Sequence, residues 1–292
     1  HRNNAQNRQA SGLLKLGRDQ GKQRQDLLLQ WFDKQQHIPN HFNADSNNAR
    51  LDTRILRSQW QQRWNGIGEW NTRLGFSASQ RRERYRDLNS QLGLQRQDET
   101  SLSTTLGINS DWERISESHT LILSAQLRPD DYDAEDHFSR IPDSEARRWQ
   151  ASLSVQDSRF LFNQRLLLVP ALSYQAHRDH YDVYSVNEAE APRNGTFNGD
   201  FLAPRIGLKI QLSPSFKMFA NAARYQRLPA IYELFGDRGV FIGNDELNAE
   251  TGNNFDVGLQ WQDSGRFSLL SLSASYNDID QAIARVYDAR GI

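Results

Sequence analysis

Residues 267 to 277 read Phe-Ser-Leu-Leu-Ser-Leu-Ser-Ala-Ser-Tyr-Asn. Leu270, Leu272, Ala274 and Tyr276 fall at every second position, and Ser271, Ser273, Ser275 and Asn277 fill the places between them. A strand points successive side chains to opposite faces, so this stretch builds a ribbon with one apolar and one polar side. The same period recurs at 203 to 212, where Ile206, Leu208, Ile210 and Leu212 oppose Arg205, Gly207, Lys209 and Gln211. It recurs at 254 to 262, where Phe255, Val257, Leu259 and Trp261 oppose Asn254, Asp256, Gly258 and Gln260. At 148 to 157, Trp149, Ala151, Leu153 and Val155 oppose Gln150, Ser152, Ser154 and Gln156. Residues 102 to 111 and 119 to 127 follow suit, and weaker alternation at 27 to 36, 51 to 63, 69 to 79, 86 to 97, 165 to 176, 215 to 224 and 282 to 288 brings the expectation to roughly thirteen strands.

Composition decides what such strands can form. The chain has 292 residues, of which only 37% are hydrophobic, yet 10% are aromatic and seven are Trp. Disordered chains are poor in aromatics, so this one folds, with little apolar interior. A soluble sandwich also alternates, but the inward face here repeats Arg, Lys, Asp and Gln, and bare charges make a poor dry core. A membrane barrel turns that face to a wet lumen and the other to lipid. The longest apolar run, Leu166 to Leu172, holds seven residues and includes Pro170, far short of the roughly 20 that a spanning helix needs. The expected fold is therefore all-β, a transmembrane antiparallel up-and-down β-barrel.

Turn lengths give it a direction. Ser213-Pro214 and Asp263-Ser264-Gly265 are tight, whereas 128 to 147, 177 to 202 and 225 to 253 are long. Barrels of this kind keep short turns on the periplasmic side and long loops outside. Counting back from Ser213-Pro214 puts residues 37 to 50 on the short-turn side although their length suits an external loop, so one strand proposed between 51 and 119 is in excess.

Little in the sequence points to catalysis. There is no cysteine, which removes thiol chemistry, thiolate metal sites and disulfides. No Gly-x-Ser-x-Gly elbow, phosphate loop or His-Glu-x-x-His is present, so the chain does not read as an enzyme and no cofactor is expected. With 35 basic and 36 acidic residues no basic field points to nucleic acid. Asp130, Asp131, Asp133, Glu135 and Asp136 offer hard oxygen ligands but no glycine-punctuated loop. His177 and His180, three apart in a strand extension, point to opposite faces and make a poor metal pair, and His37 and His41 take the same discount.

The most informative segment is Phe219 to Trp261, FANAARYQRLPAIYELFGDRGVFIGNDELNAETGNNFDVGLQW. It resembles the late barrel of TonB-dependent receptors, in which an Arg-x-Pro box ends a strand, a Tyr-Glu-Leu-Phe-Gly follows, and a Gly-Asn-Pro-x-Leu-x-Pro-Glu box enters the next strand. The matching residues are Arg227, Pro229, Tyr232, Glu233, Leu234, Phe235, Gly236, Gly243, Asn244, Leu247, Glu250 and Thr251; Asp245 and Ala249 stand where the family usually has proline. Residues 203 to 208 resemble a common strand opening of the same family.

The resemblance implies a bacterial outer-membrane receptor with 22 strands around an N-terminal plug. Such receptors import a bulky, scarce nutrient with energy drawn through TonB, and a ferric siderophore is the expected cargo. A passive porin-like barrel is the alternative. The implied partners are outer-membrane lipid, the TonB complex and a small-molecule or metal-chelate ligand. Arg227, Tyr232, Glu233 and Arg238 are the implied ligand-binding residues of the external loop. Haem receptors of the family usually carry a histidine between the two boxes, and residues 228 to 246 hold none, which disfavours haem. Neither plug nor TonB-recruiting segment is recognisable, so residues 1 to 292 are read as a barrel fragment lacking the N-terminal plug and the C-terminal strands.

Overall fold

The computed structural model describes residues 4–39, 48–92, 96–138, 143–184, 193–235, 244, 246–263 and 268–284. Twelve strands form one antiparallel sheet in sequence order: β1 (Asn7–Gln20), β2 (Gln23–His37), β3 (Arg50–Ile67), β4 (Trp70–Asp87), β5 (Gln97–Ile115), β6 (His119–Asp136), β7 (Ser144–Leu161), β8 (Leu166–Val183), β9 (Arg193–Ser213), β10 (Phe216–Arg227), β11 (Glu250–Gln262) and β12 (Leu269–Asp280). A single short helix, α1 (Ile231–Phe235), interrupts the meander among the described residues. None of those residues forms a helix long and apolar enough to cross a membrane.

The register aligns the apolar sides. Leu168 of β8 pairs with Leu208 of β9, Leu208 with Ala220 of β10, Ala220 with Val257 of β11, and Val257 with Ala274 of β12. A parallel row runs Phe76, Ile108, Leu127, Ala151 across β4 to β7. These side chains have no second layer to bury them: Leu153 is 61% exposed and Leu272 72%. A continuous apolar face of that extent is an aggregation hazard in water and a fitting surface in lipid. Trp112, Phe216 and Trp261 lie near the short-turn ends of this face, and Trp31, Trp149, Tyr174 and Tyr276 lie nearer the loop ends, as aromatic girdles do at the two interfaces.

The short turns span two to six residues and the opposite connections seven to twenty-two. The sides alternate without exception once 86 to 97 is read correctly. It is not one strand: β4 ends at Asp87, β5 starts at Gln97, and residues 88 to 92 are not strand; Asp87 is fully buried and its carboxylate accepts from the backbone N–H of Gln91 (2.8 Å) and Leu92 (2.7 Å). With this strand removed, the connection from β2 to β3 falls on the side of the long connections, and the surplus strand between 51 and 119 is identified. Two further expectations change. Residues 7 to 20 form a strand that the sequence reading left out. Residues 282 to 284 are not strand, and 285 to 288 lie outside the described residues.

Strands β3 to β8 hold 18 or 19 residues each, roughly 60 Å of chain at about 3.3 Å per residue. A tilted strand needs only about 9–11 residues to cross the hydrocarbon core, so the ladder continues well beyond lipid on the loop side. The external loops are correspondingly shorter than expected: β6 runs to Asp136, β7 starts at Ser144 and β8 runs to Val183.

On the lumenal side one close approach fixes a residue type. Phe219 lies opposite Gly258, and a Cβ on that glycine would overlap the Phe219 ring. Gly258→Ala should therefore destabilise the folded protein by about 1–3 kcal/mol, the usual cost of overpacking. Phe219→Ala added to it should return most of that loss, read from unfolding midpoints in detergent. A single Gly258→Ala variant as stable as wild type would show that the ring yields freely.

A polar chamber in the lumen beneath α1

After β10 the chain turns inward. Ala230 stands at the N-cap of α1 and Glu233 at its third position, and the Glu233 carboxylate reaches back to the Ala230 backbone N–H (2.7 Å), half of a capping box. The same carboxylate takes both terminal nitrogens of Arg227, each at 2.9 Å. Such fork-to-fork pairing fixes geometry as well as charge. The Asn244 backbone N–H then donates to the Glu233 carbonyl at 2.9 Å, so the second half of the loop is tied to the first. At the loop's exit, Glu250 pairs across the ladder with Arg227 and accepts from the Tyr225 hydroxyl (3.3 Å) and from the Ile283 N–H (3.2 Å).

The lumenal face of the sheet receives this turn. Ile231 and Tyr181 pack against the buried cluster of Tyr132, Ala134 and Ala146, and Leu234 is buried. The anchor is Arg148 on β7. Its guanidinium donates to both oxygens of Asp179 on β8 (2.8 and 2.6 Å) and, with its remaining nitrogen, to the Pro229 carbonyl (2.6 Å). The two side chains are only 6% and 11% exposed.

Beneath α1 the lumen wall is hollowed into two neighbouring cavities. One, of about 160 Å³, is lined by Gln126, Arg128, Gln150, Gln175, His177 and Gln226; the other, of about 200 Å³, shares Arg128 and Gln150 and adds Thr105, Asp130 and Tyr232. Asp130 accepts from Thr105 (2.6 Å) and Arg128 (3.1 Å). Amide, guanidinium, hydroxyl and imidazole groups thus converge on one small volume, an arrangement that can hydrogen-bond a polar ligand from several sides.

The implied loop residues differ in where they lie. Arg227 and Glu233 face each other and hold the loop's shape. Tyr232 instead lies along the second cavity, 40% exposed, and Arg238 lies outside the described residues. The acidic stretch is divided between faces: Asp130 points into the lumen, while Asp131 pairs with Arg147 (2.5 Å) outside. No group of metal-ligating residues forms among the described residues. His177 is buried on the lumenal side, and His180, hydrogen-bonded to Thr196 (3.3 Å), is exposed on the other, as strand alternation requires. His41 lies outside the described residues. Arg148 and Asp179 escaped the sequence reading. The available signal was parity, since Arg148 continues the inward series Gln156, Ser154, Ser152, Gln150.

The sequence matches the family described as TonB dependent receptor-like, beta-barrel, over residues 2–292. The chain belongs to this family. Its members are receptors of the bacterial outer membrane, and the lipid-facing band described above sits in that membrane. No curated protein matches the sequence. Solved structures with the same fold include the copper transporter OprC (TM-score 0.74, 12% identity, 89% of this chain and 43% of that one). The FrpB iron transporter of Neisseria meningitidis is similar at TM-score 0.72 and 14% identity, over 98% of this chain and 47% of that one. The alcaligin outer-membrane receptor FauA of Bordetella pertussis is similar at TM-score 0.68 and 14% identity, over 94% and 43%. The TonB-dependent receptor chain thus spans less than half the length of these structures.

Proposed function

We propose that this chain is the middle and late barrel of a 22-stranded receptor that imports a bulky, scarce nutrient, a ferric siderophore by preference, with energy supplied through TonB to a plug carried elsewhere in the protein. The observation that supports this reading best is the inward turn of residues 228 to 235, which brings Tyr232 over a polar chamber while Arg148 and Glu233 hold the turn in place. The match to the TonB-dependent receptor family favours this reading over a passive porin-like barrel. The names of similar structures, an iron transporter and an alcaligin receptor, favour a metal chelate as cargo. Tyr232, Arg238, Arg227 and Glu233 remain the proposed loop determinants. Tyr232 meets the ligand, and the Arg227–Glu233 pair presents it. The protein makes and breaks no bonds in this role; it supplies different affinities in two plug states.

Loops contribute to function more than to the ladder. Replacing residues 228 to 249 of the full-length receptor by a short Gly/Ser linker, with Arg227 and Glu250 kept to preserve the last ladder pair, should leave surface abundance normal. It should cut ⁵⁵Fe uptake from catecholate or hydroxamate chelates at least about tenfold, the loss of one good set of polar contacts. Normal abundance with undiminished uptake of every chelate the parent accepts would contradict the reading.

A further inference from the structure

The lipid-facing side of β1 to β5 is dented. In register across the sheet run Leu14, Leu29, Ser58 and Ala78, so the last two positions carry only a hydroxymethyl and a methyl group. The row towards the loops is Gly12, Trp31, Leu56 and Gln80, and the row towards the turns ends in Trp60 and Phe76, whose rings pack at 5.6 Å. Large side chains above and below small ones leave an apolar trough of about 700 Å³, lined by Leu14, Leu29, Trp31, Leu56, Ser58 and Ala78.

Arginines stand directly above it. On the same face Arg54 lies opposite Arg82, and beyond them Arg50 lies opposite Arg86. Like charges directly opposite each other destabilise a sheet. Carboxylates answer some of them: Asp33 pairs with Arg54 (3.1 Å), Asp52 with Arg86 (2.5 Å) and with Arg50 (3.7 Å), and Asp98 accepts two hydrogen bonds from Arg84, both at 2.8 Å. Five arginines against three carboxylates leave a local excess of two positive charges, and Arg82 pairs with no described carboxylate. On β6 the same face turns acidic with Asp131, Asp133 and Glu135, which confines the attraction for an anion to β3 and β4. From Ala78 to Arg82 is four residues, about 13 Å along the strand.

We propose that this face is a binding site for a phosphate-bearing, acylated lipid of the outer leaflet, with the phosphate held by Arg54 and Arg82 and an acyl chain lying in the trough over Ser58 and Ala78. Guanidinium forks match phosphate oxygens two at a time, and the anion relieves the Arg54–Arg82 repulsion that the sheet otherwise carries. The apolar trough supplies the length that an inorganic anion cannot use. Only a ligand with both parts satisfies both features.

The test uses the full-length receptor in mild detergent, with a phosphorylated, multiply acylated disaccharide lipid as probe, its dephosphorylated form as control and inorganic phosphate as competitor. Mass spectrometry counts lipid retained per protein. The double variant Arg54→Gln/Arg82→Gln should retain about tenfold less of the phosphorylated lipid, as loss of charge-assisted hydrogen bonds predicts, and no less of the dephosphorylated one. Ala78→Trp, which fills the trough, should lower retention of both. Arg82→Gln alone should raise the unfolding midpoint in lipid-free detergent, because a repulsive pair is gone; a purely structural arginine would lower it. In the wild type the phosphorylated lipid should raise that midpoint and the dephosphorylated form should not, which reads the site even if a variant fails to fold. Undiminished retention in the double variant overturns the proposal, as does the absence of a lipid-dependent midpoint shift. Displacement by phosphate with no effect of Ala78→Trp also overturns it, leaving an anion site without a lipid.

Discussion

Arg148→Ala is expected to cost the loop-side half of the sheet about 3–5 kcal/mol, because it leaves a buried carboxylate without its cation. Asp179 accepts from Arg148 through both oxygens and has little access to water. The Pro229 carbonyl loses its donor in the same step, and α1 loses the tie that joins it to the wall. The readout is hydrogen exchange over residues 230 to 235 in the full-length receptor, alongside its unfolding midpoint. Protection there should collapse in Arg148→Ala, and the midpoint should fall. Replacing both partners, Arg148→Met with Asp179→Leu, should restore most of the midpoint, since apolar groups of similar volume often substitute for a buried pair without loss. It should not restore exchange protection, because Pro229 still lacks its donor. Arg227→Gln should cost less than Arg148→Ala, as Arg227 is 40% exposed and water screens its pairing with Glu233. Unchanged protection of residues 230 to 235 in Arg148→Ala would show that the helix is held by its apolar contacts alone.

What the sequence discloses about this barrel depends on where lipid lies. Within the membrane, outward residues must be apolar and inward ones need not be, so β7, β9, β11 and β12 announce themselves. Above it both sides are polar, and the ladder continues invisibly through Asp131, Asp133 and Arg147. That is why the strands outrun their expected ends. Strand β1 was hidden for a related reason. Its outward side offers Ala10 and Gly12 before Leu14 and Leu16, and Leu13 faces the other way. The opposite error at 86 to 97 came from Leu88, Leu92 and Leu94, whose spacing imitates alternation, while the deciding group, Asp87, acts through backbone bonds that no periodicity records.

The site was legible as a motif and illegible as a mechanism. Arg227, Tyr232 and Glu233 stood out by resemblance, but their division of labour depends on how the loop turns. The anchor joins Arg148 to Pro229, 81 residues away, and only strand register brings Arg148 against Asp179. Local sequence carries neither fact.

The architecture turns on which face of the sheet meets lipid. Leu208 pairs with Leu168 and Ala220 in the apolar band, whereas Gln211 lies on the opposite side of the same strand, near the turn, where its side-chain amide donates to the Ser213 carbonyl (2.5 Å). An arginine at 208 must therefore take its charge into hydrocarbon, at a cost of roughly 2–4 kcal/mol near the bilayer midplane. An arginine at 211 loses one amide hydrogen bond and reaches water.

The direct measurement is the fraction of full-length receptor recovered in the outer membrane in its folded, heat-modifiable form, for Leu208→Arg and Gln211→Arg side by side. Leu208→Arg is expected to fall well below wild type and Gln211→Arg to match it. Equal recovery of the two variants, or loss in Gln211→Arg alone, would contradict the assignment of the apolar face to lipid.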